Sequence, residues 1–192
     1  MKKTILKKLI IKSCLRIAKR GEGCLIVLGG NPKYRSLVKQ NTRLFNIKDN
    51  FKLFESLCVI DGAVILDETG NIKKYGVMIE SKNIFKNRGT RHAAGLSASL
   101  MGAMSFVVSQ EEKKLRIFKN GKLIMQADAL EKGIEKKSSE ISQLLEGAGV
   151  GVLSVIGVTS IGIIGITLIP GVIVFGGAYY LLKKLNHHNL NK

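Results

Sequence analysis

The sequence has no tryptophan, two prolines and few aromatics of any kind (4 Tyr, 7 Phe), so it lacks the aromatic-plus-basic surface pattern on which bases stack. Nucleic acid is therefore set aside as a partner despite the charge discussed below. Cysteine is also scarce. Cys14, Cys24 and Cys58 are odd in number and form no C-x-x-C pair, which argues against a disulfide framework and fits a reducing, cytoplasmic setting for the soluble part. With 3 histidines, two of them (His187 and His188) in a polar tail, a multi-histidine metal site is excluded by count. Acids are few: 14 Asp+Glu face 31 Lys+Arg, a net charge of +17. The longest absence lies near the end, where no Asp, Glu, Lys or Arg occurs from Ala148 to Leu182.

That run exceeds the roughly 20 residues one helix needs to cross a bilayer. A core helix is a poor alternative, because a small domain has nowhere to bury so long a stretch. Two membrane geometries compete: a single spanning helix, and a tight hairpin of two short helices with both ends on one side. Lys132, Lys136 and Lys137 before the segment and Lys183 and Lys184 after it favour the hairpin by the positive-inside rule. Gly147-x-x-x-Gly151 opens the segment and Pro170-Gly171 sits past its middle.

The basic balance has three functional accounts, attraction to anionic lipid, to nucleic acid or to a polyphosphate, and one bland account, a solvated Lys-rich surface. Residues 1–50 carry 13 Lys/Arg against Glu22 and Asp49. Within them, Met1–Arg20 spaces Leu6, Leu9, Ile10, Cys14 and Ile17 on one helical face, with lysines that interrupt any signal-peptide run. Such a helix either packs on the domain or lies on an anionic membrane.

After the break at Gly21-Glu22-Gly23, Cys24–Leu28 reads as a short buried strand. The Gly29-Gly30-Asn31-Pro32-Lys33 loop that follows does not complete a G-x-x-x-x-G-K-[ST] phosphate loop. Residues 33–57 are basic and mixed, with Phe51, Phe54 and Leu57 at helical spacing. Cys58–Leu66 is an apolar strand interrupted by Asp61. A lone carboxylate there would cost several kcal/mol to bury, so it must be paired, solvated at a strand end or turn, or metal-bound. Gly62 and Ala63 beside it leave room for a ligand to approach the backbone.

Asp67–Asn71 reads as a turn into a hairpin strand at Ile72–Ile79. Arg91 to about Met104 is a helix of small residues, Ser105–Ser109 and Lys114–Lys119 are strands, and Asn120-Gly121 is a type I′ turn into Leu123–Ala127. The expected fold is α/β: a mixed, twisted sheet flanked by helices, plus a C-terminal hydrophobic membrane segment. The expected divisions are a basic amphipathic helix (1–20), the sheet domain (21–128), a polar connector helix (129–147), the transmembrane segment (148–182) and a basic tail (183–192).

The chemistry concentrates at Arg88-Gly89-Thr90-Arg91-His92 and at Ser109-Gln110-Glu111-Glu112. A glycine turn, a hydroxyl, a cation and an imidazole at a helix mouth make a site for an anion, typically phosphate. The acids soon after could hold a metal near it.

Cys24–Gly29, Asp61-Gly62-Ala63-Val64-Ile65, Gly89-Thr90-Arg91-His92 and Val107-Val108-Ser109-Gln110-Glu111, in this order, resemble the diadenylate cyclase domain over residues 21–128. The resemblance implies condensation of two ATP into cyclic di-AMP with release of two pyrophosphates. It implies Asp61, Arg91 and His92 as catalytic residues and Gly62, Ala63, Gly89, Thr90, Arg91 and Ser109 as ATP-binding ones. Asp61 and Glu111 would hold Mg²⁺ or Mn²⁺, and a face-to-face homodimer would bring two ATP together. Three positions depart from the family pattern: Ala93 stands where a second arginine is usual, Ile60 where histidine is common, and Val77-Met78 where an aromatic often stacks on adenine. The combined expectation is a membrane-anchored enzyme whose catalytic domain sits in the cytoplasm, with membrane lipid as a further partner. Two other readings are carried: a nucleotide sensor without turnover, and a membrane structural or pore-forming protein.

Overall fold

The computed structural model describes residues 3–41, 43–81, 89–147 and 166–168. Helix α1 (Lys3–Lys19) carries Arg16 and Lys19 in its last turn, where cations complement the helix dipole. It buries Leu6, Ile10, Ile11, Cys14, Leu15 and Ile17, each contributing roughly 1.5–3 kcal/mol by leaving water. Of the two readings of this helix, packing on the domain is the one observed.

Strands β1 (Cys24–Leu28), β2 (Tyr34–Ser36), β3 (Ala63–Leu66), β4 (Ile72–Ile79), β5 (Met104–Ser109), β6 (Lys114–Lys119), β7 (Lys122–Asp128) and β8 (Ile166–Leu168) form one sheet in the order β2-β4-β3-β1-β5-β6-β7-β8. Among the described strands only β1 and β3 pair in parallel; the other neighbours are antiparallel. The sheet is therefore mixed, with helices on both faces. Cys24, Ile26, Val64, Leu66, Phe106 and Val108 join α1 in one core. Leu25, Val27, Ala63, Ile65 and Val107 face the other way, against α3 (Thr90–Leu100). Burial on both faces explains why these strands read as continuous apolar runs. Cys14, Cys24 and Cys58 are free thiols in the first core, and burial pushes those of Cys14 and Cys58 up.

Helix α3 lies close to the sheet because its residues are small. A Cβ on Gly95 would come within 2.4 Å of Val107 Cγ2, and the Ser105 hydroxyl donates to the Gly95 carbonyl. The Asn120-Gly121 turn between β6 and β7 takes positive φ at both residues (51° and 72°), as type I′ requires.

Three expectations change. Cys58–Leu66 is not one strand: α2 (Phe51–Cys58), capped by Asn50 accepting from Leu53 N at 3.0 Å, runs through Cys58, and β3 starts at Ala63. The division falls at Gly62, where φ is +101° and an added Cβ would lie 2.7 Å from Val77 N and O, which excludes a side chain. The stretch 129–147 is a turn, a 3₁₀ segment (Ile134–Lys137) and then α4 (Ser138–Gly147), which buries Ile141 and Leu145 in the same core as α1. Finally, Ile166–Leu168 pairs with β7, dividing the uncharged stretch into 148–165 and 169–182. Those two pieces, and the tail 183–192, lie outside the described residues. No helix among the described residues is long and apolar enough to cross a membrane.

Candidate active site

Cys24 pairs with Val108 and Leu25 with Ala63. The chain positions just beyond, Gly23, Ser109 and Asp61-Gly62, therefore align along one edge of the sheet, at strand spacings of about 4.8 Å. The N-terminal turn of α3 lies over this edge. A Cβ on Gly23 would sit 2.9 Å from Arg91 Nη1 and 3.2 Å from the Val108 carbonyl. Gly23 is thus the floor under the Arg91 guanidinium, a role that its place in a helix-breaking G-E-G gave no sign of.

A cavity of about 510 Å³ opens here. Asp61, Gly62 and Ala63 enter it from the start of β3, and Thr90 and Arg91 from the start of α3. Its apolar side includes Leu25, Val77, Met78 and Ile79. Gly89 caps α3 without a side-chain hydrogen bond, so the first-turn N–H groups are not claimed by a capping side chain and suit an anion. Ala93 also lines the cavity, at the position where the resemblance would place a second cation.

The structure brings together Asp61, Gly62, Ala63, Thr90 and Arg91 and places Gly89 at the rim as the cap of α3. It keeps His92, Ser109 and Glu111 out of the cavity lining. Ser109 ends β5 on the same edge, and its Oγ accepts from Glu112 N at 3.2 Å. Glu111 is exposed in the turn that follows. His92 is buried on the opposite side of α3, edge-on to Phe118, with Nε2 2.7 Å from Arg116 Nη1. Guanidinium can only donate, so this nitrogen is the lone-pair acceptor and the ring proton sits on Nδ1. Arg116 is itself held by Gln126 Oε1 at 2.8 Å and by the Glu112 carboxylate. That hydrogen bond from Arg116 keeps the Glu112 carboxyl below its ordinary value, against a smaller upward push from burial.

Arg35, Glu80 and Ser81 also line the cavity. Arg35 donates from Nε to Met78 Sδ at 3.3 Å, joining β2 to β4 at the cavity mouth. The one signal available for it was charge, shared with many other cations in the first fifty residues.

Among the described residues no group of three or more His, Cys, Asp or Glu gathers to hold a metal. Asp61 and Glu80 do supply two carboxylates to one cavity. Such a sparse, hard-oxygen set fits Mg²⁺ or Mn²⁺, which takes one or two protein carboxylates and completes its shell with phosphate and water.

Fold and site together define a mixed α/β domain whose cavity, at the uncapped start of α3, suits a small anionic ligand. The model of the DAC family, described as DisA bacterial checkpoint controller nucleotide-binding, matches residues 11–123, and the chain belongs to that family. A protein of Methanocaldococcus jannaschii named diadenylate cyclase is 32% identical over 141 residues. The match covers 63% of this chain and 45% of that protein, so the chain spans about half the length of this relative. Two solved structures are similar, each with a TM-score of 0.48. One is a hypothetical membrane spanning protein from Bacillus cereus, 25% identical, covering 60% of each chain. The other is DacA from Staphylococcus aureus, 22% identical, covering 73% of this chain and 92% of that one.

Proposed function

We infer that this protein is a diadenylate cyclase. The observation that carries the reading is the single cavity in which Asp61-Gly62-Ala63 meets Thr90-Arg91, within a chain of this family. ATP seats with its phosphates at the N-terminal turn of α3, against Arg91 and Thr90, and its base toward Val77 and Met78. Two chains face each other so that each 3′-hydroxyl oxygen attacks the other nucleotide's α-phosphorus. One P–O bond forms, the bond to the β-phosphate breaks, pyrophosphate leaves with the electron pair, and the hydroxyl proton is lost to solvent. Arg91 stabilises the charge that accumulates on the phosphates as that bond breaks. Asp61 and Glu80, with Glu111 from the neighbouring turn, are the carboxylates that would hold the divalent ion. When bound, that ion offsets phosphate charge and lowers the pKa of a coordinated hydroxyl.

His92 takes a positioning role in this reading. Its bond to Arg116 fixes the first turn of α3, and Glu112 and Gln126 fix Arg116. The uncharged segment beyond α4 associates the chain with lipid, leaving the domain on the cytoplasmic side.

Incubation of the purified chain with ATP and Mn²⁺ or Mg²⁺, with products resolved by chromatography, tests the activity: cyclic di-AMP is expected. Ala93 at the cavity wall supports a second reading, a sensor that binds without turnover. Calorimetric ATP binding with no product would establish the sensor and remove the enzyme.

A further inference from the structure

The strands that carry the cavity at one end carry a cluster of lysines at the other. At the far end of β1, Leu28 pairs with Leu66 and Met104, Leu66 with Ile72, and Met104 with Lys119. Lys73, Lys119 and Lys122 therefore fall on the edge opposite the cavity, about 16 Å away along the five residues of β1. Lys119 and Lys122 face each other directly across the hairpin, a like-charge pair that costs stability rather than adding it.

Helix α1 starts at this same end. Lys3, Lys7 and Lys119 line a crevice of about 150 Å³ with Leu28 and Met104. Lys73 and Lys74 line an adjoining one of about 360 Å³, and the two share Gly29 and Glu68. Burial pushes the Lys7 ammonium down; Glu146 opposes the shift, while Lys119 and Lys3 add to it. The acids here are engaged locally. Glu68 pairs with Lys3 at 3.1 Å and Glu146 with Lys7 at 3.8 Å. Asp67 is taken up by Thr69 and Asn71 of its own turn. Among the described residues Lys73, Lys74, Lys119 and Lys122 make no ion pair.

A second, independent observation is where the chain leaves the sheet domain. Glu135, ahead of α4, meets Arg16 and Lys19 at 3.4 and 2.9 Å, and Glu146, in the last turn of α4, meets Thr4 and Lys7. Helix α4 therefore runs antiparallel to α1 and ends beside the lysines, immediately before the uncharged stretch 148–182. Like charges held together at a cost, next to the start of an apolar segment, complement one kind of partner: a surface of anionic headgroups over hydrocarbon.

We propose that the sheet end bearing Lys3, Lys7, Lys73, Lys74, Lys119 and Lys122 seats on an anionic membrane surface and turns the cavity away from the lipid. The proposal rests on the reading that the uncharged segment associates with lipid, and specifies which face of the domain meets the membrane.

The test is co-sedimentation of the full chain with phosphatidylcholine vesicles, with and without added phosphatidylglycerol. Binding to the neutral vesicles reads the uncharged segment alone; its absence would sink that reading without touching the lysine response. Wild type is expected to bind more tightly as the anionic fraction rises, and less so as salt is added. Lys119→Gln/Lys122→Gln should weaken binding to anionic vesicles about 25-fold, at about fivefold for each lysine near the surface. It should leave neutral-vesicle binding and ATP turnover unchanged. Lys33→Gln/Lys113→Gln removes two charges at the cavity end and should change anionic binding by less than about twofold. Equal losses in the two double variants, or a wild type indifferent to phosphatidylglycerol, would overturn the proposal.

Discussion

At one end of β1 the chain turns through Gly23 beneath Arg91; at the other it turns through Gly29-Gly30 among lysines. Both ends use glycine, yet they solve different problems. The Gly23 end keeps space free for a cation already placed by α3, and sets carboxylates (Asp61, Glu80) and a cation (Arg91) around one hollow. The lysine end has its acids consumed by local pairs and presents an excess of one sign. Balanced charge around a cavity suits a ligand that is anionic at one part and metal-bridged at another. Unbalanced charge over shallow crevices suits an extended anionic surface. The difference makes substitutions separable by what they change.

The largest expected effect is at the cavity. Arg91→Ala should lower cyclic di-AMP synthesis by about 10³-fold, the scale for removing a group that stabilises transition-state charge. Its thermal unfolding should stay close to wild type, since Arg91 lies over the sheet edge outside the two cores. Gly62→Ala, at the same end, acts through the fold. A Cβ at φ +101°, 2.7 Å from the Val77 backbone, should cost about 3 kcal/mol in denaturant unfolding.

Arg116→Met should cost about 2 kcal/mol, because it removes the buried guanidinium that bonds both His92 and Glu112. Combining it with His92→Gln should cost less than the sum of the two, the mark of a shared interaction. Additive losses would separate His92 from the Arg116 network.

The smallest effect belongs to the lysine end. Burial pushes the Asp67 carboxyl up, but hydrogen bonds from Thr69 and Asn71 outweigh it and hold it down from 3.8 to about 2. A depressed carboxyl contributes stability that is complete above its unfolded value and lost as pH falls through its folded one. The window here is from about pH 4 to about pH 2. Asp67→Asn should flatten unfolding free energy across that window by about 1 kcal/mol, discounted for partial exposure, without altering turnover.

Local chemistry made some of this readable in the sequence. Cys24–Leu28 was continuous and apolar because both faces are covered, and Asn120-Gly121 can hardly form anything but a tight hairpin. The glycine-hydroxyl-cation order at Gly89-Thr90-Arg91 carries its meaning within three residues. What could not be read depends on distant partners. His92 turns away from the cavity because Arg116, on another strand, holds it; Glu112 is claimed by the same arginine and Glu111 is not. Cys58–Leu66 reads as one strand until the backbone of Val77 forces a break at Gly62. Strand β2 is three exposed residues with no alternation to reveal it. Ile166–Leu168 lies in an apolar stretch whose composition speaks of lipid and is silent on pairing with β7.

The most direct test of the central claim is the stoichiometry of the reaction at the cavity. With ATP and Mn²⁺ or Mg²⁺, wild type should release two pyrophosphates for each cyclic di-AMP, and Asp61→Asn should release none. Absence of product from wild type with either metal, or equal rates in wild type and Asp61→Asn, would contradict the account.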